Sequence, residues 1–484
     1  MNPDSNANIT PRVGALGLRE RLGVGLAPGV ATAVAMWILW WIGHLPVVML
    51  DRAPLAGLSA LTLVVSLGLW SRWAGRRSAL AAGLVGGAVA ALLNMLLLGS
   101  KIVEQPTSTA ELAESANRLQ AGAFGAVLGF IVLSMAAGAL AGCFGRATAR
   151  RDGPPSRADT LGALAAVAAV AFAPLIIVGG AVTSTESGMA VPDKWTTYGA
   201  ASFLFPVSLM AGEWGDPRIF FEHTHRLFGS LVGLVTLLVT IWAWLVDRRG
   251  WVRALATAVF ALVCIQGLLG ALRVGENLAV LAAAHGVFGQ LVFATAVVLA
   301  ASVSGLARHG DPRVPRETTL AASRGAWLAV AAVVCVVLQL VLGALSRHFG
   351  VGHATWAHAA FAFVVATLAA LCGVVVRSAD EHSTAGRTLL RSGTWLVALV
   401  LAQFALGFVV LWQVTQTEAQ RAIPTADQLQ TAAPFDLFEA AMTTMHQTIG
   451  AAILAVVVLT AFWTMRLRAR PERRPGLSAR TAAA

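Results

Sequence analysis

Residues 325–346, GAWLAVAAVVCVVLQLVLGALS, run between Arg324 and Arg347 without a single charge. A hydrocarbon core about 30 Å thick needs roughly 20 apolar residues of helix to cross it. Backbone polar groups inside lipid must be satisfied within the segment, so a run of this kind is read as a spanning helix. Working outward, eleven further stretches meet or approach the same length, at about 26–50, 54–71, 79–99, 121–145, 160–182, 220–246, 252–273, 278–305, 355–376, 390–413 and 440–465. The first is long, and a break is expected in it at Pro46. The fold class that follows is all-α, a polytopic membrane protein of about 12 transmembrane helices.

Composition agrees. The 484 residues are 57% hydrophobic and only 12% charged, whereas soluble domains carry about 25% charged residues. A soluble enzyme and a disordered chain are excluded. The net charge of +11 would fit a nucleic-acid partner if it were clustered on one soluble face, but it is spread over alternate loops. With the N-terminus inside, 26 of the 35 Lys and Arg fall on inner segments, among them Arg12, Arg72–Arg77, Arg146–Arg157, Arg248–Arg253, Arg313 and the tail Arg466–Arg480. Cytoplasmic loops carry such an excess. Both termini are therefore expected in the cytoplasm, in a cell membrane, and no nucleic-acid partner is expected. The polar stretch Met1–Glu20 and the long run after it lack a signal-peptide pattern, so no cleaved signal is expected. Cys143, Cys264, Cys335 and Cys372 lie in or beside apolar runs and form neither a disulfide framework nor a zinc motif.

The chain divides near the basic stretch Arg150–Asp159. The first four spans hold few polar groups, chiefly His44, Asn94, Lys101 and Glu104, read as interfacial or helix-packing residues. The remaining eight carry an internal repeat. Gln266, Gly270 and His285 recur at the same spacing as Gln339, Gly343 and His358. A third copy has Gln403 and Gly407, then His446 after a longer outer loop; the first hairpin has Gly179–Gly180 and His225 but no glutamine. Small residues permit close helix approach, and glutamine bonds across helices.

Ionisable residues within spans are functional candidates. His225, His285, His358 and His446 stand at equivalent places in four hairpins, all toward the outer face. Imidazole ligates haem iron, and bundle cofactors sit between facing helices. Two facing pairs, His225 with His285 and His358 with His446, make two bis-histidine haem sites. Zinc draws three or four ligands together, which pairs separated by whole helices do not supply. His223, His348 and His353 are read as surface or loop residues, and His44, His309 and His382 have no constellation around them. Glu222 shares a helix face with His225 at i, i+3 and is the candidate proton acceptor. Arg226, Arg273 and Arg347 lie at outer helix ends and are candidate partners of haem propionates. Arg226 and the other two serve equally well as interfacial anchors.

On these residues the chain resembles the heme A synthase family over about residues 160–466. The resemblance is carried by Gly179–Gly180, the run Ser187–Gly188–Met189–Ala190–Val191–Pro192–Asp193, Glu222-x-x-His225–Arg226, the Gln-x-x-x-Gly repeats, and His285, His358 and His446. It implies an eight-helix core of two pseudo-symmetric four-helix halves, and oxidation of the C8 methyl group of heme O to a formyl group, giving heme A. It implies that His225 and His285 hold the substrate haem, that His358 and His446 hold a heme B cofactor, and that Glu222 is catalytic. The expected organisation is an N-terminal extension over 1–157, a substrate-haem half over 158–308, and a cofactor-haem half with a cytoplasmic tail over 309–484. A heme O synthase, oxidase assembly factors and an electron acceptor are the implied partners, beside membrane lipid. Two departures stand out. Residues 183–219 contain no cysteine, where some family members carry a pair, and the family's Asp-Trp-Pro is here Asp193–Lys194–Trp195. The competing readings are a bis-histidine di-haem electron-transfer cytochrome and, from twelve spans with internal repeats, a transporter.

Overall fold

The computed structural model describes residues 17–45, 47–104, 118–205, 217–311, 314–350, 352–416 and 435–468. Pro46, Arg12, Arg313 and the tail beyond residue 468 lie outside the described residues. Among those described, twelve helices are long and apolar enough to cross a membrane. They are α1 Leu18–Gly43, α2 Arg52–Ala74, α3 Ala79–Leu98, α4 Ala123–Thr148, α5 Arg157–Ser184, α6 Pro217–Val246, α7 Gly250–Glu276, α8 Ala279–Val303, α9 Arg316–Phe349, α10 Gly352–Val376, α11 Thr384–Gln416 and α12 Leu437–Leu467. A single-turn helix, Gly305–His309, follows α8. The protein is thus an all-α polytopic membrane protein.

Helix ends are set by local chemistry more than by hydropathy. Ser156 and Asp159 exchange bonds at the start of α5: Asp159 N donates to Ser156 Oγ (3.1 Å) and Ser156 N to Asp159 Oδ2 (3.0 Å), a reciprocal cap. Asp436 Oδ1 accepts from Glu439 N at 2.8 Å and starts α12. Asn277, at φ 46°, closes α7 in the left-handed region that asparagine tolerates. The first helix corrects the expected span of 26–50. Gly17 N donates to Glu20 Oε2 at 3.2 Å, so α1 begins at Leu18, and it ends at Gly43 where the His44 ring takes its own chain's Trp40 carbonyl at 2.8 Å. The apolar run through Leu50 is an exposed turn instead.

The chain forms two compact units, residues 1–97 with 121–164, and residues 98–120 with 165–484. The first unit packs on glycine. Gly83 of α3 meets Gly138 of α4 backbone to backbone, and Gly25 and Gly29 of α1 seat Val85 and Val89 of α3, so any Cβ there would overlap its neighbour. Asn94 is buried and donates to Met36 Sδ at 3.3 Å.

In the second unit α9, α10, α11 and α12 close a four-helix ring, α9 meeting both α10 and α12, and α11 the same two. Its core is small and branched residues, including Ala329, Ala332, Cys372, Leu389, Leu396 and Leu454. α6, α7 and α8 pack in series, and α8 also lies against α9 and α12. Small side chains let backbones approach where lipid offers no hydrophobic drive.

Candidate bis-histidine sites

One arrangement occurs four times. His225, His285, His358 and His446 lie about two turns into α6, α8, α10 and α12. The helix before each presents a glycine to the imidazole. A Cβ added at Gly179 would stand 2.9 Å from His225 Cε1, at Gly270 3.0 Å from His285 Cε1, at Gly343 3.0 Å from His358 Cε1, and at Gly407 3.4 Å from His446 Cε1. At the first three, a methyl group would force the facing ring to shift. These glycines are ring seats.

The seated rings face each other in two pairs. His225 and His285 have centres 6.2 Å apart at an interplanar angle of 77°, and His358 and His446 have centres 6.2 Å apart at 69°. With a metal–imidazole bond of about 2.0 Å and a ring nitrogen about 1.1 Å from the ring centre, two rings on opposite sides of one metal stand about 6.2 Å apart. The donor set therefore fits axial ligation of a haem in each pair. Among the described residues no three His, Cys, Asp or Glu converge on a metal site, so a tetrahedral zinc centre is not formed.

The supporting bonds also repeat. Gln266 Nε2 donates to the His285 carbonyl at 2.8 Å, and Gln339 Nε2 to the His358 carbonyl at 2.9 Å. Gln403 Nε2 lies 3.3 Å from His446 Nε2 itself. His358 Nδ1 lies 3.1 Å from the Gln339 carbonyl; that contact places the proton on Nδ1 and leaves Nε2 as an acceptor, with Gln339 Nε2 3.5 Å from it. Nδ1 of His446 is buried without a hydrogen bond, whereas the rings of His225 and His285 face the backbone carbonyls of Leu175 and Gln266.

The two pairs differ in what flanks them. One turn before His225 stands Glu222, 3% exposed. The corresponding neighbours of His285, His358 and His446 are Ala282, Thr355 and Thr443. Glu222 Oε2 accepts from Val191 N at 2.7 Å, and Oε1 pairs with Arg226 at 2.7 Å. Arg226 also donates to the carbonyls of Thr196 (2.7 Å) and Val191 (2.9 Å). The loop between α5 and α6 thus wraps the carboxylate. It contains a two-strand hairpin, β1 Thr196–Thr197 with β2 Ala200–Ala201, turned by Tyr198 and Gly199 at φ 50° and 80°, the paired positive values a tight hairpin needs. Asp193 Oδ2 accepts from Thr196 Oγ1 (2.8 Å) and Gly199 N (2.7 Å), and Lys194 pairs with Glu276 of α7 at 3.6 Å. The departure at Asp193–Lys194–Trp195 is absorbed by these contacts.

The three arginines part company. Arg226 is committed to Glu222 and the loop carbonyls. Arg347 donates to the Thr183 carbonyl. Arg273 lies across Gly188, where any Cβ would overlap its guanidinium; among the described residues its side chain makes no hydrogen bond or close ion pair, and its charge acts on Glu222. It is the arginine best placed to take an anionic group.

The surface reading of His223 is corrected: it is fully buried, 3.3 Å from Thr197 Oγ1 and tilted against Phe205 with ring centres 5.1 Å apart. It lies on a different helix face from His225, and that face meets the hairpin. His348 ends α9 half-buried and His353 is exposed in the first turn of α10, both on helices and not in a connecting loop. His309 and His382 are exposed. The Val191 amide, Thr196 carbonyl and His223 contacts had no sequence signal, being made by a loop folding back. The Glu222–Arg226 pair did, as an i, i+4 ion pair.

Fold and site together define a class: a helical membrane protein with two facing imidazole pairs, one of them beside a buried carboxylate. Comparison with known sequences narrows it. Residues 162–355 match the model of the COX15-CtaA family, Cytochrome oxidase assembly protein. The resemblance to heme A synthases is also borne out by individual relatives. The Heme A synthase of Erythrobacter litoralis is 28% identical over 218 residues, 38% of this chain and 60% of its own length. That of Rhizorhabdus wittichii is 28% identical over 243 residues, 43% and 66%. That of Geobacillus kaustophilus is 33% identical over 132 residues, 26% and 37%. The chain thus matches less than two thirds of each relative's length. The family match contains Glu222, His225 and His285 and ends before His358.

Proposed function

We propose that this chain is a heme A synthase, oxidising the C8 methyl group of heme O to the formyl group of heme A. The observation that carries the reading is Glu222, buried one turn before His225; among the described residues no buried carboxylate stands beside the other histidine pair. In this reading His225 and His285 hold heme O, and His358 and His446 hold heme B. Residues 158–308 form the substrate half and 309–484 the cofactor half.

The overall change is methyl plus water to formyl, releasing four electrons and four protons, through an alcohol. Side chains cannot oxidise an unactivated methyl; the bound heme B supplies the one-electron chemistry. The chain's own residues do the rest. The ring seats at Gly179 and Gly270 fix the rings of His225 and His285, which would hold the substrate haem. Glu222 accepts protons released at the substrate, with Arg226 and the Val191 amide holding its oxygens in place. Arg273 binds a propionate, and the 185–205 loop covers the site against bulk water. The electrons pass to an acceptor outside the chain, and the substrate arrives from a heme O synthase. The histidine-bearing end faces outward, with both termini in the cytoplasm.

Co-expression with a heme O synthase in a host lacking heme A tests this. Chromatography of extracted haems is expected to show heme A with the intact chain and none with Glu222→Ala. Haem-loaded protein that never yields heme A would replace this reading with the electron-transfer cytochrome. Protein purified without haem would revive the transporter.

A further inference from the structure

Residues 98–120 join α3 to α4 of the N-terminal extension, yet they belong to the compact unit of the core. The 3-10 turn Gly99–Lys101 that opens this segment packs against the 3-10 turn Ser202–Leu204 of the α5–α6 loop. A Cβ at Gly99 would stand 2.5 Å from the Phe203 carbonyl. Gly99 and Ser100 are buried, and so is Val103, although the segment joins two helix ends. It is pinned to itself by a bridge between Val103 and Leu119, with Gln120 Nε2 donating to the Val103 carbonyl at 2.7 Å.

From Phe203 a continuous line of contacts leads to the carboxylate. Ser202 Oγ lies 3.1 Å from Thr197 Oγ1, which lies 3.3 Å from His223 Nδ1. Thr197 pairs with Ala200 in the hairpin, and its neighbour Thr196 offers its carbonyl to Arg226, the partner of Glu222. We propose that the 99–103 segment is a positioning element for Glu222: it braces the hairpin that holds Arg226, and Gly99 is the residue that lets it seat. The family match begins at residue 162, so the brace is supplied by a part of the chain outside it. Backbone-on-backbone packing of this kind tolerates no side chain at the contact, and a braced loop opens less often than a free one.

This inference rests on the proposed role of Glu222, and its test separates the two. The full-length, haem-loaded protein is compared as wild type, Gly99→Leu, the milder Ser202→Ala, and Gly129→Leu. The last places the same bulk on the extension where nothing lies within 4 Å. Hydrogen exchange of peptides covering 187–204 is expected to speed up about tenfold or more in Gly99→Leu and measurably in Ser202→Ala. Heme A formed per bound haem is expected to fall severalfold in both, with b-type absorbance retained. Gly129→Leu is expected to leave exchange and yield at wild-type values. If Gly99→Leu does not assemble, Ser202→Ala alone decides, since it removes one hydroxyl and no volume. Unchanged loop exchange, or faster exchange with unchanged heme A yield, overturns the brace. A wild type that makes no heme A while its loop exchange responds sinks the synthase reading and leaves the mechanical link supported.

Discussion

The imidazole rings of His225 and His285 stand 6.2 Å apart, the same separation as those of His358 and His446. Each ring rests on a glycine of the preceding long helix, so the spacing is imposed by helix packing and not by the rings themselves. Two equal clamps with unequal surroundings are the core of the account. Among the described residues, the first has a buried carboxylate beside it, Glu222, and the second has none.

The ring seats make a graded prediction. A methyl at Gly179, Gly270 or Gly343 would lie 2.9–3.0 Å from the facing Cε1, but at Gly407 3.4 Å. Overpacking by one methyl costs typically about 1–3 kcal/mol. Gly179→Ala, Gly270→Ala and Gly343→Ala are expected to lose the low-spin bis-histidine absorbance of one site each, and Gly407→Ala to keep it. Haem content and visible spectra of the purified variants check this; equal losses in all four would contradict the seat assignment.

The glutamines are predicted to act on the helices more than on the metal. Gln266 and Gln339 bond the ligands' carbonyls, and interhelical bonds in membranes average about 0.6 kcal/mol. Gln266→Leu is therefore expected to lower the unfolding midpoint slightly and leave haem stoichiometry unchanged. Loss of haem in that variant would show that the bond orients the ring.

Glu222→Gln keeps a hydrogen-bond acceptor for the Val191 amide and removes the proton-accepting carboxylate. Heme A formation is expected to fall about 10²-fold or more while both haems remain bound. Arg226→Lys loses the forked donor that also reaches the Thr196 and Val191 carbonyls and is expected to fall between that variant and wild type. A fully active Glu222→Gln would remove the carboxylate from the chemistry.

Arg273→Ala is expected to weaken retention of the substrate haem and spare the other. Titration of heme O into the solubilised protein reads this directly. Unchanged affinity would leave Arg273 as a loop anchor across Gly188.

Much of this was legible in the sequence because lipid imposes strict rules. Spanning length placed the helices, the Gln-x-x-x-Gly spacing singled out His285, His358 and His446, and Gly179–Gly180 with the hairpin position singled out His225. Helix ends were less legible: α9 starts at Arg316, not near 325, because a helix continues past the bilayer wherever capping and propensity allow. The His223 reading failed for a related reason. Its burial depends on a hairpin some 25 residues earlier folding back, and periodicity carries no information about loops. The same holds for Val191 and Phe203, whose backbone groups serve the site whatever their side chains.

The most direct test of two clamps with different occupants is the identity of the haem each retains. The protein is purified after co-expression with a heme O synthase, and its haems are separated by chromatography. The account predicts heme B together with heme O or heme A in the wild type, heme B alone in His225→Ala, and loss of heme B in His358→Ala. Loss of the same haem from both variants, or heme B lost from His225→Ala alone, would contradict it.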